Sequence, residues 1–365
     1  MKGLIQFMFT CKPDYEQAQK RINAFWNFAE TDRPAVSFSF TKPDAKWCTQ
    51  ETTWPHKSHE DRWLDVEWRA ARDANWMANT VYYAESMPVV MPNLGPEIIS
   101  AWAGCPYFYG ESTTWTEPCI HDWEKDRAII DMTHPLFKKL EEYTQALIKH
   151  GKGNFIVGLT DYHPGGDHLA ALRDPENLAV DLMENPDEVK KKLAESYDEY
   201  FPTYDHFVNM IKAADMPIAS WIPLTSETSM YIPSNDFSIM VSNAMFEEFF
   251  LDGLTAECKH YKKSVYHLDG PGALRHLDSL LSIKELNAIQ WVPGAGQEQV
   301  MPWLDVFKRT MAAGKSVMAY PHNMEDLKFL MDNLPARGLY LQISWDVGNE
   351  ENARDLMKVI ERWGR

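Results

Sequence analysis

The sequence predicts an α/β protein built as a (β/α)8 TIM barrel with an N-terminal helical extension. Eight short apolar runs, near residues 35, 89, 154, 217, 264, 288, 316 and 339, alternate with polar turns and helical patterns, as βαβ units do. The 365-residue length is normal for one such barrel. A doubly wound open sheet is the alternative, but the stretch SFSFTKPDAKW after the first strand lacks the glycine-rich phosphate turn that this fold favours.

The elements follow from the N-terminus. Residues 1–33 are expected to form the helical extension, because apolar residues recur at helical spacing between positions 18 and 26. The barrel is expected over residues 34–365 as a single domain with an insertion at about 41–87. This insertion is rich in tryptophan and charge, and its pattern predicts a helix over 59–80.

The alternation of strand and helix becomes regular from about residue 154. The strands here are short continuous apolar runs, as expected for parallel strands that are covered on both faces. In a barrel of this kind, the residues that perform chemistry lie at the C-terminal ends of the strands. The polar residues at these ends are therefore the candidates for a site.

The composition limits the partners and the compartment. The formal net charge is −17, and an acidic surface repels nucleic acids and anionic membranes. No apolar run reaches the length of a membrane-spanning helix, and the N-terminus shows no signal-peptide cleavage site. Five scattered cysteines without a CxxC pair predict reduced thiols in a cytoplasmic protein.

Two histidine–aspartate pairs stand at predicted strand ends. Asp161 and His163 follow the third strand, and His267 and Asp269 end the fifth. Residues two apart in a strand share a face, so each pair points one way. Such a pair either binds a divalent metal ion or acts as an acid–base couple in which the carboxylate orients the imidazole. We take these four residues as the catalytic candidates.

Structural explanations exist for the same residues. Asp269 stands before Gly-Pro and is a good helix-start residue, and the stretch DYHPGGD is typical turn chemistry. Tryptophans at strand ends also pack barrel mouths. With these alternatives open, the substrate-binding candidates are Asn93, Trp221, Asp236, Gln290, Trp291, Tyr320, His322 and Trp345. We expect Trp291 and Trp345 to form an apolar wall of the cavity that holds the two pairs.

The stretch DFSIMVSNAMFEEFFLDGLTAECKHYKKSVYHLDGPG resembles the uroporphyrinogen decarboxylase superfamily. In that pattern an Asp, here Asp236, precedes a Ser, here Ser242, and a later strand ends in His-x-Cys-Gly, here His267-Leu-Asp269-Gly. The segments SMPVVMPNLGPEIISAWAGCPYFYGES and NEENARDLMKVIER also resemble the superfamily, and the resemblance covers most of the chain from about residue 80. It implies a (β/α)8 barrel.

The resemblance implies one of two chemistries. The decarboxylase needs no cofactor and binds its acidic tetrapyrrole through arginines after the first strand, where this chain has only Lys42 and Lys46. The methyltransferases of the superfamily hold zinc with His-x-Cys at the fifth strand and a Cys at the eighth. This chain keeps His267 but has Asp269 and Asp346 at the thiolate positions. The implied metal ligands are therefore one imidazole and two carboxylates, a harder set that suits an oxygen-bearing substrate.

Three functions remain open at this point. The leading hypothesis is metal-assisted transfer of a methyl or other group on a small polar substrate, with a corrinoid protein as a partner implied by the resemblance. The second is a cofactor-free decarboxylase or lyase that uses the same residues as acid and base. The third is a barrel without catalysis that binds a ligand or a corrinoid protein. The sequence leaves the oligomeric state open.

Overall fold

The computed structural model describes residues 9–47 and 55–364. Its strands are β1 (Ala35–Thr41), β2 (Thr80–Ala84), β3 (Val89–Val90), β4 (Tyr107–Tyr109), β5 (Thr114–Thr116), β6 (Ile156–Val157), β7 (Ile218–Ala219), β8 (Thr225–Ser226), β9 (Val265–Asp269), β10 (Ala288–Val292), β11 (Ser316–Ala319) and β12 (Leu339–Gln342). A strand stands at each of the eight predicted positions. The alternation of strands and helices is confirmed.

The helices are α1 (Tyr15–Trp26), α2 (His59–Leu64), α3 (Val66–Ala78), α4 (Ile98–Trp102), α5 (Pro135–Gly151), α6 (Gly166–Arg173), α7 (Pro175–Glu184), α8 (Pro186–Ala213), α9 (Asn243–Phe249), α10 (Leu251–Tyr261), α11 (Leu277–Ser282), α12 (Leu304–Ala312), α13 (Met324–Asn333) and α14 (Glu350–Ile360). Short 3-10 turns cover Asp236–Met240, Pro271–His276 and Met301–Trp303. Within the described ranges, no helix has both the length and the apolar character needed to cross a membrane.

The central sheet has six strands in the order β2-β1-β12-β11-β10-β9. All neighbours pair in parallel except β1 and β2, which are antiparallel. The other predicted strands lie in smaller groups. β3 pairs with β6, and the Leu159 amide, just after β6, donates to the Ala219 carbonyl of β7 at 2.8 Å.

A barrel closed by one continuous sheet is not seen among the described residues, so that part of the fold prediction needs correction. Two other segments pair with the outer edges of β1 and β9. β2, from the predicted insertion at 41–87, pairs with the edge of β1. Residues 231–234 run parallel to β9, through bridges from Tyr231 to Ser264 and from Ser234 to His267. The mixed α/β class with a largely parallel sheet is confirmed.

Alternating residues of the sheet strands face two different environments. On β9, Tyr266 and Leu268 pack into an apolar core with Ile289 and Trp291 of β10. The residues that alternate with them, His267 and Asp269, are only half-buried and face the opposite side. This period of two determines which strand residues can reach a common site.

The predicted helix over 59–80 is interrupted at Asp65. The backbone there leaves the helical region, with φ −79° and ψ 76°, and α2 ends. The Asp65 carboxylate then accepts a hydrogen bond from the Trp68 amide at 3.1 Å and caps α3. An aspartate favours such a cap over a helix interior. Cys48 and the rest of residues 48–54 lie outside the described residues, and the division into an extension at 1–33 and one barrel domain stays a prediction.

Glu85 joins the inserted hairpin strand β2 to the start of β1. Its carboxylate accepts hydrogen bonds from Arg33 at 2.6 and 2.9 Å, from the Val36 amide at 2.9 Å and from Arg21 at 3.3 Å. The side chains of Arg33 and Glu85 are 8% and 2% exposed. A buried ion pair of this kind is costly to break, because one charge is left without a partner.

We expect Glu85→Gln to lower the free energy of unfolding by about 3–5 kcal/mol, the cost of breaking a buried ion pair from one side. Urea denaturation measures this change. The matched control is Asp278→Asn, which removes the ion pair between Asp278 and Arg309, whose side chains are 82% and 41% exposed. That control should cost less than about 1 kcal/mol. Equal losses in the two variants would contradict the central role of Glu85.

Candidate functional site

A cavity of about 730 Å³ opens at the C-terminal ends of β6, β7 and β9. Side chains that can titrate or donate hydrogen bonds form much of its lining, together with apolar residues of the turn at Asp236–Met240. The polar and aromatic lining residues include Glu97, Asp161, His163, Asp167, His168, Trp221, Ser234, Asp236 and His267. None of the lining residues is a lysine or an arginine. The cavity is therefore suited to neutral or cationic molecules and to metal ions rather than to a polyanion.

Hydrogen bonds on the Nδ1 side fix the orientation of the His267 imidazole. Its Nδ1 donates to Gln290 Oε1 at 2.7 Å, and the Gln290 amide in turn donates to the Tyr320 hydroxyl. The rings of Trp221 and His267 are nearly perpendicular, with their centroids 5.3 Å apart. Because Nδ1 carries the proton in this arrangement, Nε2 of the neutral ring keeps its lone pair. A histidine prepared in this way is a typical metal ligand.

Two carboxylates lie beside His267. One ligand atom from each of Asp236, His267 and Asp269 lies within 4.8 Å of the other two. Asp269 shares a strand face with His267, as the sequence predicts. Asp236 arrives because residues 231–234 pair with β9 and place Ser234 opposite His267. The Ser234 hydroxyl then donates to Asp236 at 3.1 Å.

The charge of Asp236 repels the neighbouring carboxylates of Asp269 and Asp167. Burial and the nearby charge of Asp236 raise the pKa of Asp269, against the opposing effect of His267. Burial, again with the Asp236 charge, raises the pKa of Asp167. Carboxylates that crowd together in this way favour either a proton or a cation among them.

His163 and Asp161 form the second pair. His163 Nε2 donates to Asp161 Oδ1 at 2.8 Å, and the two side chains are 14% and 36% exposed. Burial alone lowers the pKa of His163, but the Asp161 charge and hydrogen bond, with further help from Asp167 and Glu257, outweigh burial and raise it to about 9. The imidazole is therefore a protonated group at neutral pH that can return a proton to a substrate.

Several buried polar atoms near the cavity have no partner within the protein. They are Nδ1 of His163, Nε1 of Trp221 and both amide atoms of Asn235. Asn235 is 3% exposed, and its amide lies against the backbone of Gly166, where a Cβ would come within 2.3 Å of Oδ1. Buried polar groups normally bind something, so water or a ligand is expected at these atoms.

The structure brings five predicted residues to this cavity: Asp161, His163, Trp221, Asp236 and His267. Gln290 and Tyr320 lie behind His267 and hold it. Asp269 is outside the lining but within reach of Asp236 and His267.

The structure corrects the expected position of the remaining candidates. Trp291 is 1% exposed and packs on Trp303, because it alternates with Gln290 on β10 and so faces the helices. Trp345 and Asp346 line a separate cavity of about 290 Å³. They therefore form neither the apolar wall nor the third ligand.

Two further candidates serve local structure. Asn93 accepts a hydrogen bond from the Gly95 amide at 2.8 Å. His322 is exposed, and its amide donates to Asp326 at 2.9 Å in the turn before α13. Neither belongs to the cavity lining.

Asp167 is the site residue that the prediction left out. Its Oδ1 accepts the Phe237 amide hydrogen at 2.8 Å and so connects α6 to the turn that begins at Asp236. The signal in the sequence is its place in DYHPGGD, four residues after His163 and at the start of a helix. Nothing in the sequence indicates that Asn235 is buried beside it.

The comparisons with known proteins concern the fold. The fold of this chain is similar to that of a methyltransferase from Methanosarcina mazei. The TM-score is 0.61, the sequences are 12% identical, and the alignment covers 99% of this chain and all of the other. No protein-family model and no curated protein sequence matches the chain.

The Asp161–His163 pair gives a prediction for pH dependence. Folding raises the pKa of His163 from 6.5 to about 9. The pair therefore stabilises the folded state fully below pH 6.5, and this contribution, of the order of 3 kcal/mol, is lost as the pH rises through about 9. An NMR titration of the His163 ring should show a midpoint near 9.

The variant Asp161→Asn removes the charge that raises this pKa and should lower the midpoint by about 1–2 pH units. Its free energy of unfolding should then vary less between pH 6.5 and 9 than that of the wild type. A wild-type midpoint at the ordinary histidine value, unchanged in the variant, is the result that contradicts this assignment.

Proposed function

We propose that this protein transfers a methyl or other small group and that a divalent metal ion, held by Asp236, His267 and Asp269, assists the reaction. The observation that carries the proposal is the approach of these three ligand atoms to within 4.8 Å of one another. Imidazole nitrogen and carboxylate oxygens bind zinc at about 2.0–2.2 Å. The donor set fits such an ion, and the fixed His267 ring supports the fit.

The expected metal site changes in one ligand. The sequence suggested Asp346 as the third ligand, whereas Asp346 lines another cavity and Asp236 lies beside His267. A divalent ion in this position would polarise an oxygen or nitrogen atom of the substrate and stabilise a leaving group. The harder oxygen ligands favour zinc or manganese with such a substrate over a thiolate-rich zinc site.

The chain itself supplies the proton and the binding surface. We propose that His163, charged at neutral pH and held by Asp161, donates a proton to the departing group. Trp221 offers an aromatic face and a free indole N–H. The acidic lining without lysine or arginine favours a small neutral or cationic substrate and argues against an acidic tetrapyrrole.

The likeness to a methyltransferase of 12% identity supports methyl transfer among the group transfers. It also supports an arrangement of the eight parallel strands as a barrel whose ring is interrupted by β2 and by residues 231–234. We propose a corrinoid protein as the partner that exchanges the methyl group. Incubation of the protein with methylcobalamin, zinc or manganese, and an added thiol or amine tests this proposal. Methyl transfer to the thiol or amine is followed by the loss of the methylcobalamin absorbance.

A metal-free lyase is the second candidate. It is favoured by the raised pKa of Asp167 beside the Asp161–His163 pair, since two groups of different protonation state can act as acid and base. Chelation separates the candidates. A lyase activity that persists after chelation and dialysis, in a protein that shows no methyl transfer, would support this second candidate.

We expect the wild type to bind Mn²⁺ or Zn²⁺ in calorimetry between pH 6 and 9. Asp236→Asn, His267→Ala and Asp269→Asn should each weaken binding by more than the ~10–100-fold that loss of an outer partner costs. The matched control is Asp346→Asn, which should bind as the wild type does. A site that needs Asp346 and tolerates Asp236→Asn would return the third ligand to the position that the sequence suggested, and no binding at any pH would remove the metal.

Gln290 tests whether the orientation of His267 matters. Gln290→Leu removes the acceptor for Nδ1, so the ring can change its tautomer, and Mn²⁺ affinity should fall by about 10–100-fold. Tyr320→Phe removes only the hydrogen bond behind Gln290 and leaves the acceptor for Nδ1 present, so it should have a smaller effect. If both variants bind the ion like the wild type, His267 is not held by this chain of hydrogen bonds.

A further inference from the structure

Cys105 and Cys119 flank the β4–β5 hairpin at the rim of the cavity. The hairpin pairs Tyr107 with Thr116 and Phe108 with Trp115, and the Glu117 amide continues the ladder by donating to the Pro106 carbonyl at 3.1 Å. Continuing this register places residue 105 opposite residue 118. The two cysteines are therefore nearly opposite each other at the base of the hairpin.

Their sulfur atoms are already close. The Cys105 thiol donates to Cys119 Sγ at 3.2 Å, and a disulfide has a sulfur–sulfur distance of about 2.05 Å. A movement of about 1 Å would join them. By contrast, the Cys11 thiol lies against the Met77 carbonyl oxygen at 3.6 Å, and Cys258 is 1% exposed.

The two thiols differ in access and in acidity. Cys119 is half-buried, while Cys105 is 5% exposed. The hydrogen bond from Cys105 lowers the pKa of Cys119, and the same contact, together with burial, raises the pKa of Cys105. Cys119 is thus the thiol that reacts first, because it is the more exposed and the more readily ionised.

We propose that Cys105 and Cys119 are a reversible dithiol–disulfide site that fixes the rim of the cavity when oxidised by a low-molecular-weight disulfide. The Cys119 thiolate attacks one sulfur of the small disulfide, forms a mixed disulfide and releases one small thiolate, which takes up the Cys119 proton. Cys105 then loses its proton and attacks Cys119 Sγ, which releases the second small thiol. The net reaction converts two protein thiols and one small disulfide into one protein disulfide and two small thiols.

The disulfide between Cys105 and Cys119 would connect two segments of the chain that line the cavity. Cys105 follows α4, which contributes Ser100 to the lining. Cys119 and the next residue donate their amide hydrogens to the Leu172 carbonyl of α6, at 3.0 and 2.9 Å, and α6 contributes Asp167 and His168. The intervening segment also lines the cavity, through Thr116 and Pro118. Oxidation therefore links α4 covalently to the segment fixed on α6.

The experiment treats the intact protein with oxidised glutathione, denatures it, alkylates the remaining thiols and maps peptides by mass spectrometry. We expect a cross-link between Cys105 and Cys119, while Cys11 and Cys258 are alkylated. Dithiothreitol should restore both thiols. A wild-type protein in which Cys105 and Cys119 stay alkylatable, or which ends as a stable glutathione adduct, overturns the proposal.

Single variants test the order of attack. Cys105→Ser should accumulate glutathione on Cys119, because the resolving thiol is gone, whereas Cys119→Ser should leave Cys105 largely unmodified. Cys258→Ser is the matched control and should cross-link as the wild type does. Cys105→Ala repeats the first variant if serine disturbs this buried position. Equal adduct formation in the two single variants overturns the assigned order.

Proteolysis tests the effect on the rim. Phe108 and Trp115, 36% and 46% exposed at the hairpin, are chymotrypsin sites. Oxidation should slow their cleavage roughly tenfold in the wild type, because it removes loop-closure entropy from the opened hairpin. It should not slow cleavage in either single variant. Unchanged cleavage of the cross-linked wild type overturns the claim that the disulfide fixes the rim, whatever the protein's reaction proves to be.

Discussion

The parallel pairing of residues 231–234 with the edge of β9 is the constraint on which the site depends. It places Ser234 opposite His267, and two residues later the chain turns and presents Asp236 to the same imidazole. The Asp167 carboxylate then accepts the Phe237 amide hydrogen and attaches α6 to this turn. Without this short pairing, Asp236 would belong to a loop unconnected to His267, and of the two carboxylates only Asp269, on the same strand, would stay beside the imidazole.

The assembled site concentrates negative charge, and burial raises the pKa of two of its carboxylates, Asp167 and Asp269. Asp161, Asp167, Asp236 and Asp269 approach two imidazoles within or beside one cavity, and none of the lining residues is a lysine or an arginine. One imidazole, His163, stays protonated and compensates part of this charge. The other, His267, is oriented by the hydrogen bond from its Nδ1 to Gln290. The pair thus divides its roles, one as an acid and the other as a ligand, through different hydrogen-bond partners.

The sequence predicts the positions of the strands better than it predicts how the strands pair. Apolar runs locate all eight strands, and the period of two correctly puts His267 and Asp269 on one face. The same period, applied to Gln290 and Trp291, shows that both cannot face the cavity, and that inference was open from the sequence. The third member of the group of Asp236, His267 and Asp269 was not open from the sequence, because only the pairing of residues 231–234 with β9 places Asp236, and not Asp346, beside His267. Closure of the sheet depends on the same non-local contacts, which leave no periodic signal in the chain.

The antiparallel strand β2 also affects the tendency of the protein to associate with other molecules through its strand edges. It covers the edge of β1 with five residue pairs and is itself the outermost strand, so the backbone of β1 is not available to a neighbouring molecule. Unprotected strand edges are templates for intermolecular sheet growth. Shortening the excursion between β1 and β2 would therefore expose the edge of β1 and favour association between molecules, even with the cavity intact.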